Sequence, residues 1–452
     1  MKNRFSEQRA IVIGAGVGGL AAAAALSPYF EQVTVLERDP LPADARPRPG
    51  VAQGRHLHGL LSGGSAALSE LFPGLEAHLL AAGAQKSDVG ADVRFEMAGT
   101  PELPRRKLDV YTYLLSRPLL ETQLRKQLLT RRNVVLRDKC RVIEIVADEN
   151  DRVAGVRFET LEGRHDTSSA TLVVDASGRG MPTLAFLKAT GRPMPEETVI
   201  GADITYGSAI YTFAPGAEPD CKLVISFGKA PKQRRMGLLS VRENGLWDVV
   251  VGGRFGDLPP TEEDAFLAFA DGLPTRTIGD ALRRGRRETP VIRYGYPESR
   301  RRHFTSIPDF PVGLLPIGDA ACNINPMFGQ GMTVAAKEAQ LLHTLLAGTD
   351  GESDSLETIG PEFLDGIEKL ANTPWRTAAS IDLAYPETTG IRPPDMQQSA
   401  EYQAAIMQLA VQDADLHRLM VEVRHLLKPG NLLYTQELQQ RVQALQQQAT
   451  SS

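Results

Sequence analysis

Cysteine is scarce in this sequence. The 452 residues include three cysteines, Cys140, Cys221 and Cys322, and none belongs to a CxxC pair. An odd number of widely spaced cysteines argues against a disulfide framework and against a cysteine-based zinc site, so we predict no bound metal. Because structural disulfides are concentrated in secreted proteins, this pattern favours a cytoplasmic protein.

The sequence also lacks an excess of positive charge and any long apolar run. Lysine and arginine number 50 against 55 acidic residues, a formal net charge of −5, so nucleic acid is not an expected partner. No apolar stretch approaches the ~20 residues that span a bilayer, so we predict no transmembrane segment. The run over 10–26 follows Lys2 and Arg4 and imitates a secretory signal, but its four glycines would weaken a signal helix.

The chain opens with the pattern of a βαβ unit. Residues 10–13 predict a strand, an alanine-rich segment to about residue 26 predicts a helix, and residues 32–37 predict a second strand. Strands that alternate with helices favour an α/β fold with a parallel sheet. At 452 residues the chain is also too long for one hydrophobic core, so we expect two or three domains.

The first turn of this unit carries a GxGxxG motif. Gly14, Gly16 and Gly19 follow the strand, and Glu37 lies 21 positions after Gly16 (37 minus 16). Glycines at this spacing make a tight turn, admit a pyrophosphate and let the helix pack closely, while the acidic residue binds ribose hydroxyls. The motif therefore predicts a dinucleotide without a ribose 2′-phosphate, either FAD or NAD.

A second motif, about 300 residues later, favours FAD. Gly318 and Asp319 follow a strand expected over 312–316, and Gly329 and Gly331 open a helix. The ribityl chain and ring of a flavin dinucleotide need a second protein segment whose backbone comes close to them. A helix N-terminus in that segment stabilises negative charge on the reduced ring. We therefore predict that Asp319 binds the ribityl or pyrophosphate side and that Gly329, Gly331 and Met332 belong to the cofactor site.

Four segments together resemble one protein family. They are the GxGxxG turn, the Gly318-Asp319 motif, Asp175-Ala176-Ser177-Gly178-Arg179-Gly180 and Ser116-Arg117-Pro118-Leu119-Leu120-Glu121. Over most of its length the chain resembles the glutathione-reductase-type flavin monooxygenase superfamily. The stretch 49–58, the Asn325-Pro326 pair and the segment from Trp375 to Pro386 look most like polyether-type flavin epoxidases and squalene-epoxidase-like enzymes.

This resemblance implies further roles for individual residues. Arg117 would contact the FAD diphosphate or ribityl region, Arg38 would lie beside Glu37, and Arg55 would lie in a loop that passes the flavin. Asp175 and Arg179 stand where relatives have an aspartate-glycine motif for FAD and the nicotinamide cofactor, but here the sequence is Asp-Ala-Ser-Gly. Reduction would therefore come from transient NADH or NADPH binding or from a separate flavin reductase.

The resemblance also implies the reaction. Reduced flavin and O2 form a C4a-hydroperoxide, from which one oxygen atom enters a small, mostly apolar natural-product substrate by alkene epoxidation or hydroxylation. Pro326, Met327 and Phe328 are candidates for an apolar rim above the ring or for ordinary core packing. His56 and His58 are candidates for acid/base work, with hydrogen-bonded loop positions as the alternative.

Domain boundaries can be placed from these motifs. We expect a Rossmann-like FAD-binding domain in two parts, 1–180 and 294–345, a β-sheet substrate-binding domain over 181–293, and a helical C-terminal region over 346–452.

Several local patterns make finer predictions within these domains. Strands over 134–147, 152–160 and 170–174 suggest a small β-meander, and residues 63–82 and 401–427 are predicted to be helical. The Gln-rich tail 436–448 is expected to fray or to pack against a partner.

Other activities stay open as alternatives. An aromatic-ring hydroxylase would need a base aimed at a phenol, and a flavin dehydrogenase or reductase of the geranylgeranyl type would turn over without consuming O2. Halogenation is a minor alternative, since Trp247 and Trp375 lie outside any WxWxIP motif of flavin-dependent halogenases. The arginine clusters 283–287 and 300–302 could meet an anionic carrier protein.

Overall fold

A computed structural model describes residues 5–348 and 355–450. Lys2 and Arg4, which imitate the start of a signal, lie outside the described residues. The strands are β1 Arg9–Ile13, β2 Gln32–Leu36, β3 Gly59–Leu60, β4 Gln85–Asp88, β5 Val93–Met97, β6 Tyr111–Leu114, β7 Val134–Arg137, β8 Cys140–Ala147, β9 Val153–Thr160, β10 His165–Ser169, β11 Leu172–Asp175, β12 Glu196–Ile200, β13 Ile204–Phe213, β14 Leu223–Phe227, β15 Met236–Val241, β16 Trp247–Arg254, β17 Gly285–Arg287, β18 Ile292–Tyr296, β19 Ser299–His303, β20 Leu314–Pro316 and β21 Cys322–Asn323.

The helices complete a mixed α/β architecture, as predicted. They are α1 Val17–Leu26, α2 Ser62–Leu71, α3 Leu75–Ala81, α4 Arg117–Leu128, α5 Met181–Ala189, α6 Glu263–Asp271, α7 Thr277–Leu282, α8 Gly331–Ala347, α9 Leu356–Asp382, α10 Met396–Gln412, α11 Ala414–Arg424 and α12 Gln436–Thr450.

A five-stranded parallel sheet forms the base of the fold, in the order β20-β11-β1-β2-β7. Strand β1 is buried from Ala10 to Ile13 because neighbouring layers cover both faces of a parallel sheet. Helix α1 is buried over most of its length because its alanines let β1, α4 and α8 approach closely. The carboxyl ends of β1, β11 and β20 lie along one edge, which brings the two glycine motifs together.

The antiparallel meander differs from the predicted one in its first and third strands. Residues 134–137, predicted as the start of its first strand, form β7 in the parallel sheet, and residues 140–147 of that segment form β8 in the meander. The meander consists of β8, β9 and β10, and β10 covers the exposed, polar segment His165–Ser169. The segment predicted as the third strand, residues 170–174, instead forms β11 in the parallel sheet. The apolar run Leu172–Val174 fits the doubly covered sheet, whereas the solvent-facing strand β10 lacks a hydrophobic alternation that could reveal it.

A seven-stranded sheet carries the second half of the structure. Its order is β17-β13-β16-β15-β14-β5, with β18 also paired to β13. Strand β5 pairs in parallel with β14, although it lies far earlier in the chain, among residues that the sequence grouped with the first glycine motif. One face of this sheet packs on α6 and α7, and the other faces α9 and the loop before α8.

The two segments predicted to be helical, 63–82 and 401–427, are helical in the structure, and each is divided into two helices. In the first segment, α2 ends at Leu71 and α3 begins at Leu75. The helix is interrupted between them because Pro73 lacks an amide hydrogen and Gly74 adopts a positive φ of 80°. Residues 401–427 are divided at Asp413, whose side chain accepts a hydrogen bond from the Leu416 amide and so begins α11.

The Gln-rich tail is an ordered helix, α12. Its buried residues Leu438 and Val442 pack with α10 and α11, so the tail packs against its own chain. Within the described ranges, no helix combines the length and the apolar character that crossing a bilayer requires.

Candidate functional site

The GxGxxG turn has the geometry that the motif predicts. Gly14 adopts φ +100°, and a Cβ placed there would lie 2.6 Å from the carbonyl oxygen of Ala176. A Cβ at Gly19 would overlap the carbonyl oxygen of Gly14, so both positions need glycine for close packing. Gly16 differs, because its nearest neighbour is an arginine nitrogen 3.4 Å from the Cβ position. The middle glycine therefore opens onto a charged cradle.

Arg48 forms the centre of that cradle. Its side chain is 6% exposed and makes ion pairs with Glu37 at 2.8 Å, Asp39 at 3.1 Å and Glu121 at 3.3 Å. Burial opposes the charged form, but the three carboxylates outweigh it and raise the pKa of Arg48. The sequence did not single out Arg48 as a site residue, and its position between two prolines in a polar loop is the signal that could have found it.

Arg117 stands on the other side of Gly16. Its Nε donates to Glu121 at 2.8 Å and its Nη1 donates to Gln53 at 3.3 Å. The Nη2 atoms of Arg117 and Arg48 lie 3.4 Å and 4.0 Å from the Cβ position of Gly16. Among the described residues neither Nη2 has a hydrogen-bond partner, so both are available to an anion at the N-terminus of α1.

Some of the hydrogen-bond acceptor sites of the Glu37 carboxylate are already used within the protein. Its Oε2 accepts the Ala15 amide at 2.8 Å as well as the Arg48 ion pair, and its Oε1 accepts the Asp39 amide at 2.9 Å. Each carboxylate oxygen has two lone pairs, so Oε1 retains a free acceptor site for a ribose hydroxyl.

Arg38 and Arg55 are both exposed. The Nη2 of Arg38 donates to the carbonyl of Gly50 at 3.4 Å, which directs it along the loop that carries Arg48. Arg55 ends a short 3-10 helix over Ala52–Arg55, and its charge reaches the neighbouring His56. Their predicted contacts with a cofactor remain predictions.

Asp319 faces the same cradle from the second motif. Burial raises the pKa of its carboxyl, while nearby Arg117 lowers it. Among the described residues this carboxylate has no hydrogen-bond partner, and its Oδ1 lies 4.0 Å from the Cβ position of Gly331. An unpaired carboxylate at this position is suited to bind hydroxyl groups of a ligand.

A buried glutamate supports the second motif from behind. Glu338 on α8 is fully buried, and its Oε2 accepts the Gly318 amide at 2.6 Å. Burial, opposed by the Gly318 hydrogen bond and assisted by nearby Asp319, raises the pKa of Glu338 to about 8, so the side chain is mostly protonated at neutral pH. It fixes the Gly318 turn without adding a second negative charge beside Asp319.

Asp175 does not face the cradle. It is fully buried, its Oδ1 accepts the Ser177 amide at 3.0 Å, and its Oδ2 accepts both the amide and the hydroxyl of Thr183. The carboxylate therefore holds the start of α5, and Arg179 beside it is exposed. These contacts give the Asp-Ala-Ser-Gly variant a structural role.

The loop before α8 is fixed by a buried polar network. Asn325 donates to Asp382 at 3.0 Å and accepts from the Tyr206 hydroxyl at 3.0 Å and the Met327 amide at 3.2 Å. Asp382 also pairs with Arg254 at 2.6 Å. The network joins β13, β16, α9 and this loop. Its members lie about 50 or more positions apart in the chain, so no local sequence pattern predicted that they would meet.

Met327 and Phe328 are buried in the apolar core between the seven-stranded sheet and α9, while Pro326 is half-buried. The rings of Phe328 and Phe227 lie 6.2 Å apart, and Phe227 lies 6.1 Å from Phe95. The residues expected to form a rim are thus packed against the sheet. Met332 is the second residue of α8, and its side chain packs on the core around α1.

His56 and His58 occupy hydrogen-bonded positions in the loop before β3. The Nδ1 of His56 lies 2.6 Å from the Ser208 hydroxyl, and its ring lies over Tyr294. His58 Nδ1–H donates to the His56 carbonyl at 2.8 Å. Burial lowers the pKa of His56 to about 4 and that of His58 to about 3, so both rings are neutral at neutral pH.

Buried neutral histidines predict loss of stability in acid. His425 belongs to the same group, because burial lowers its pKa to about 3. Since the folded pKa lies below the unfolded one, the unfolded chain binds more protons between about pH 3 and pH 6.5. The stability that these groups contribute is complete above that window and is lost as the pH falls. We expect a lower urea midpoint at about pH 5 than at about pH 7.5.

Substitution tests the origin of this pH dependence. His58→Gln should reduce the difference between the two pH values, whereas His78→Gln, on the exposed face of α3, should leave it unchanged. An equal slope in wild type and His58→Gln would show that His58 is not one of the groups responsible.

Comparisons with known proteins agree with this architecture. No model of a known protein family matches the sequence. Protein Rv3254 of Mycobacterium tuberculosis (strain ATCC 25618 / H37Rv) is 32% identical over 393 residues, which cover 85% of this chain and 82% of the relative.

Solved structures show the same fold at low sequence identity. The flavin-dependent brominase Bmp2 superposes with a TM-score of 0.65 at 16% identity and covers 93% of both chains. The p-nitrophenol 4-monooxygenase PnpA from Pseudomonas putida DLL-E4 gives 0.63 at 18% identity, over 93% of this chain and 97% of its own. The chain therefore belongs to the family of Protein Rv3254, and it shares its fold with the brominase Bmp2 and the monooxygenase PnpA.

Proposed function

We propose that this protein binds FAD and acts as a monooxygenase that inserts one oxygen atom from O2 into a small organic substrate. One observation carries the proposal. The unpaired Nη2 groups of Arg48 and Arg117 converge on Gly16, at the N-terminus of α1, and the unpaired carboxylate of Asp319 faces the same cradle. The cradle thus offers cations to a diphosphate and an acceptor to hydroxyl groups.

The residues present fit the successive parts of FAD. Glu37 would hold the adenosine ribose, and Gly16 with the two arginines would hold the diphosphate. Asp319 would hold the ribityl side, and Gly329 and Gly331 would present backbone amides to the ring at the N-terminus of α8. Gly329 adopts φ +66°, and no atom lies within 4 Å of its Cβ position, which leaves room for a ring beside it.

When bound and reduced, FAD would supply the electrons that activate O2. The chain's own residues would position the substrate and exclude water. The apolar core formed by the seven-stranded sheet, Met327 and Phe328 supports a mostly apolar substrate body. The Asn325–Asp382–Arg254 network would keep the loop in one conformation beside the ring. Neutral His56 and His58 would act as hydrogen-bonding groups rather than as proton carriers.

Epoxidation or hydroxylation of a natural-product alkene is the reaction that we favour, in the cytoplasm and with O2 as co-substrate. The apolar residues around Phe328 support it. Reduction would come from transient NADH or NADPH or from a separate flavin reductase, because Asp175 is committed to the start of α5. A carrier protein that delivers the substrate is a further proposed partner.

The test is anaerobic reduction of the purified yellow protein with NADH and then NADPH, followed by mixing with O2. We expect a transient absorbing species distinct from oxidised and reduced flavin. Direct reoxidation without such a species, even with candidate alkenes present, would contradict the monooxygenase and favour a dehydrogenase or reductase. Turnover that requires bromide or chloride would instead favour a halogenase, and product formed only from phenols would favour an aromatic hydroxylase.

Asp319→Ala tests the cofactor site itself. We expect the purified variant to lack bound FAD, because the hydroxyl acceptor at the second motif is gone; removing a charged hydrogen-bond partner costs about 1.5–3 kcal/mol, about ten- to a hundredfold in affinity. Flavin absorbance per protein measures the result. Asp309→Ala, in the turn before β20, is the matched control and should keep its flavin. Full flavin absorbance in Asp319→Ala would contradict the assignment.

A further inference from the structure

The guanidinium of Arg424 has no hydrogen-bond or ion-pair partner among the described residues. It is the last residue of α11, it is half-buried, and its Cζ lies 4.7 Å above the ring of Phe95. Across residues 5–348 and 355–450 the structure shows neither a hydrogen bond to its guanidinium nor a carboxylate in ion-pair range. Burial lowers the pKa of Arg424 to about 10. A buried charge without a counterion costs stability, so folding alone does not account for it.

The acidic residues nearby in sequence are committed elsewhere. Glu422, two positions away, pairs with Arg418 at 3.2 Å and with Lys428 at 2.7 Å. Glu96 follows Phe95 on β5, but successive side chains of a strand point to opposite faces. Glu96 accordingly pairs with Arg94 at 3.1 Å and accepts from Thr277 at 2.6 Å. The face that Arg424 shares with Phe95 therefore offers it no carboxylate.

Arg424 adjoins the proposed active site. Its backbone carbonyl accepts a hydrogen bond from the Gln330 side chain at 3.1 Å, and Gln330 lies between Gly329 and Gly331. A row of rings leads from the guanidinium to the same loop. Phe95 lies 6.1 Å from Phe227, and Phe227 lies 6.2 Å from Phe328. The cation stands at one end of the aromatic row and the proposed flavin-facing loop at the other.

We propose that Arg424 binds the carboxylate of the substrate, whose apolar body lies along the Phe95–Phe227–Phe328 row. The inference rests on the proposed function and narrows its substrate class from mostly apolar organic compounds to amphipathic organic acids. A guanidinium matches a carboxylate through two parallel hydrogen bonds, and the aromatic row suits an apolar chain better than a nucleotide phosphate. Arg424 is therefore a specificity residue.

The experiment is calorimetric titration of the purified protein with 6-phenylhexanoate and its neutral counterpart, 6-phenylhexanamide. We expect the acid to bind at least about tenfold more tightly than the amide, since a hydrogen-bonded charge pair is worth about 1.5–3 kcal/mol. Arg424→Gln should remove this preference and leave the affinity for the amide and the FAD content unchanged. Arg418→Gln, on the same helix, is the matched control and should keep the preference.

Three results would overturn the inference. They are equal affinity of the wild type for acid and amide, unchanged affinity of Arg424→Gln for the acid, and no binding of any phenylalkanoate in a series of increasing chain length. An altered NADPH affinity in Arg424→Gln with unchanged acid binding would assign the cation to a nucleotide phosphate and would also overturn it. If Arg424→Gln does not fold, the affinities of the wild-type protein for the acid and the amide still test the inference.

Calorimetry separates the two proposals. Binding of the acid does not depend on flavin chemistry, and FAD content is measured on the same sample. Protein without FAD that still prefers the acid would contradict the proposed function alone, whereas yellow protein without the preference would contradict the role of Arg424 alone.

Discussion

Gly16→Val should give a folded protein that does not bind FAD. Gly16 has φ −76° and ψ −179°, an extended conformation that valine adopts readily, and its Cβ position has no neighbour closer than 3.4 Å. The added side chain would occupy the space in front of the Arg48 and Arg117 Nη2 atoms. Loss of two charge-assisted hydrogen bonds corresponds to at least about 3 kcal/mol, about a hundredfold in FAD affinity.

Flavin absorbance and circular dichroism measure this outcome together. Gly295→Val is the matched control, because Gly295 is an exposed glycine of β18 with no atom within 4 Å of its Cβ position. It should keep both fold and flavin. Normal FAD affinity in Gly16→Val would contradict the placement of the diphosphate at this turn. Gly19→Ala, by contrast, should impair folding, since its Cβ would overlap the Gly14 carbonyl oxygen.

Arg48→Met should be strongly destabilising even without cofactor. The change leaves Glu37, Asp39 and Glu121 buried beside one another, with exposed fractions of 4%, 8% and 4%. Removing one member of a buried ion cluster costs about 3–5 kcal/mol, because the remaining charges keep their desolvation penalty. The urea midpoint of the apo-protein measures the loss. Arg46→Met, at an exposed arginine two positions away, should leave the urea midpoint nearly unchanged.

A urea midpoint of Arg48→Met equal to that of the wild type would contradict this prediction, because it would show that the ion cluster contributes no net stability.

Local sequence patterns predicted the two glycine motifs that the structure brings together. A strand, three glycines at fixed spacing and Glu37 define a turn whose geometry depends on neighbouring residues in the chain. The structure has that turn, with Gly14 at φ +100° and α1 beginning at Val17. The second motif was recognisable for the same reason, because Gly318, Asp319 and the glycines before α8 also act within one short segment.

Predictions that depended on exposure or on helix length were weaker. The polar strand β10 has no apolar alternation, so its place in the meander was assigned to residues 170–174. Residues 63–82 were predicted as a helical stretch, and the structure divides that stretch at Pro73 and Gly74. Hydrophobic periodicity indicates which face of a helix is buried, but it does not locate the end of the helix well.

The sequence by itself determined the parallel α/β core, the glycine turn and the acidic residues that mark the ends of the cradle, because these features arise from backbone geometry and short-range spacing. Only the tertiary structure decided that Arg48 joins three carboxylates, that Asn325 meets Arg254 through Asp382, and that Arg424 has no counterion in the described part of the chain. Those properties depend on which distant side chains share a low-dielectric interior, and chain folding alone brings such side chains together.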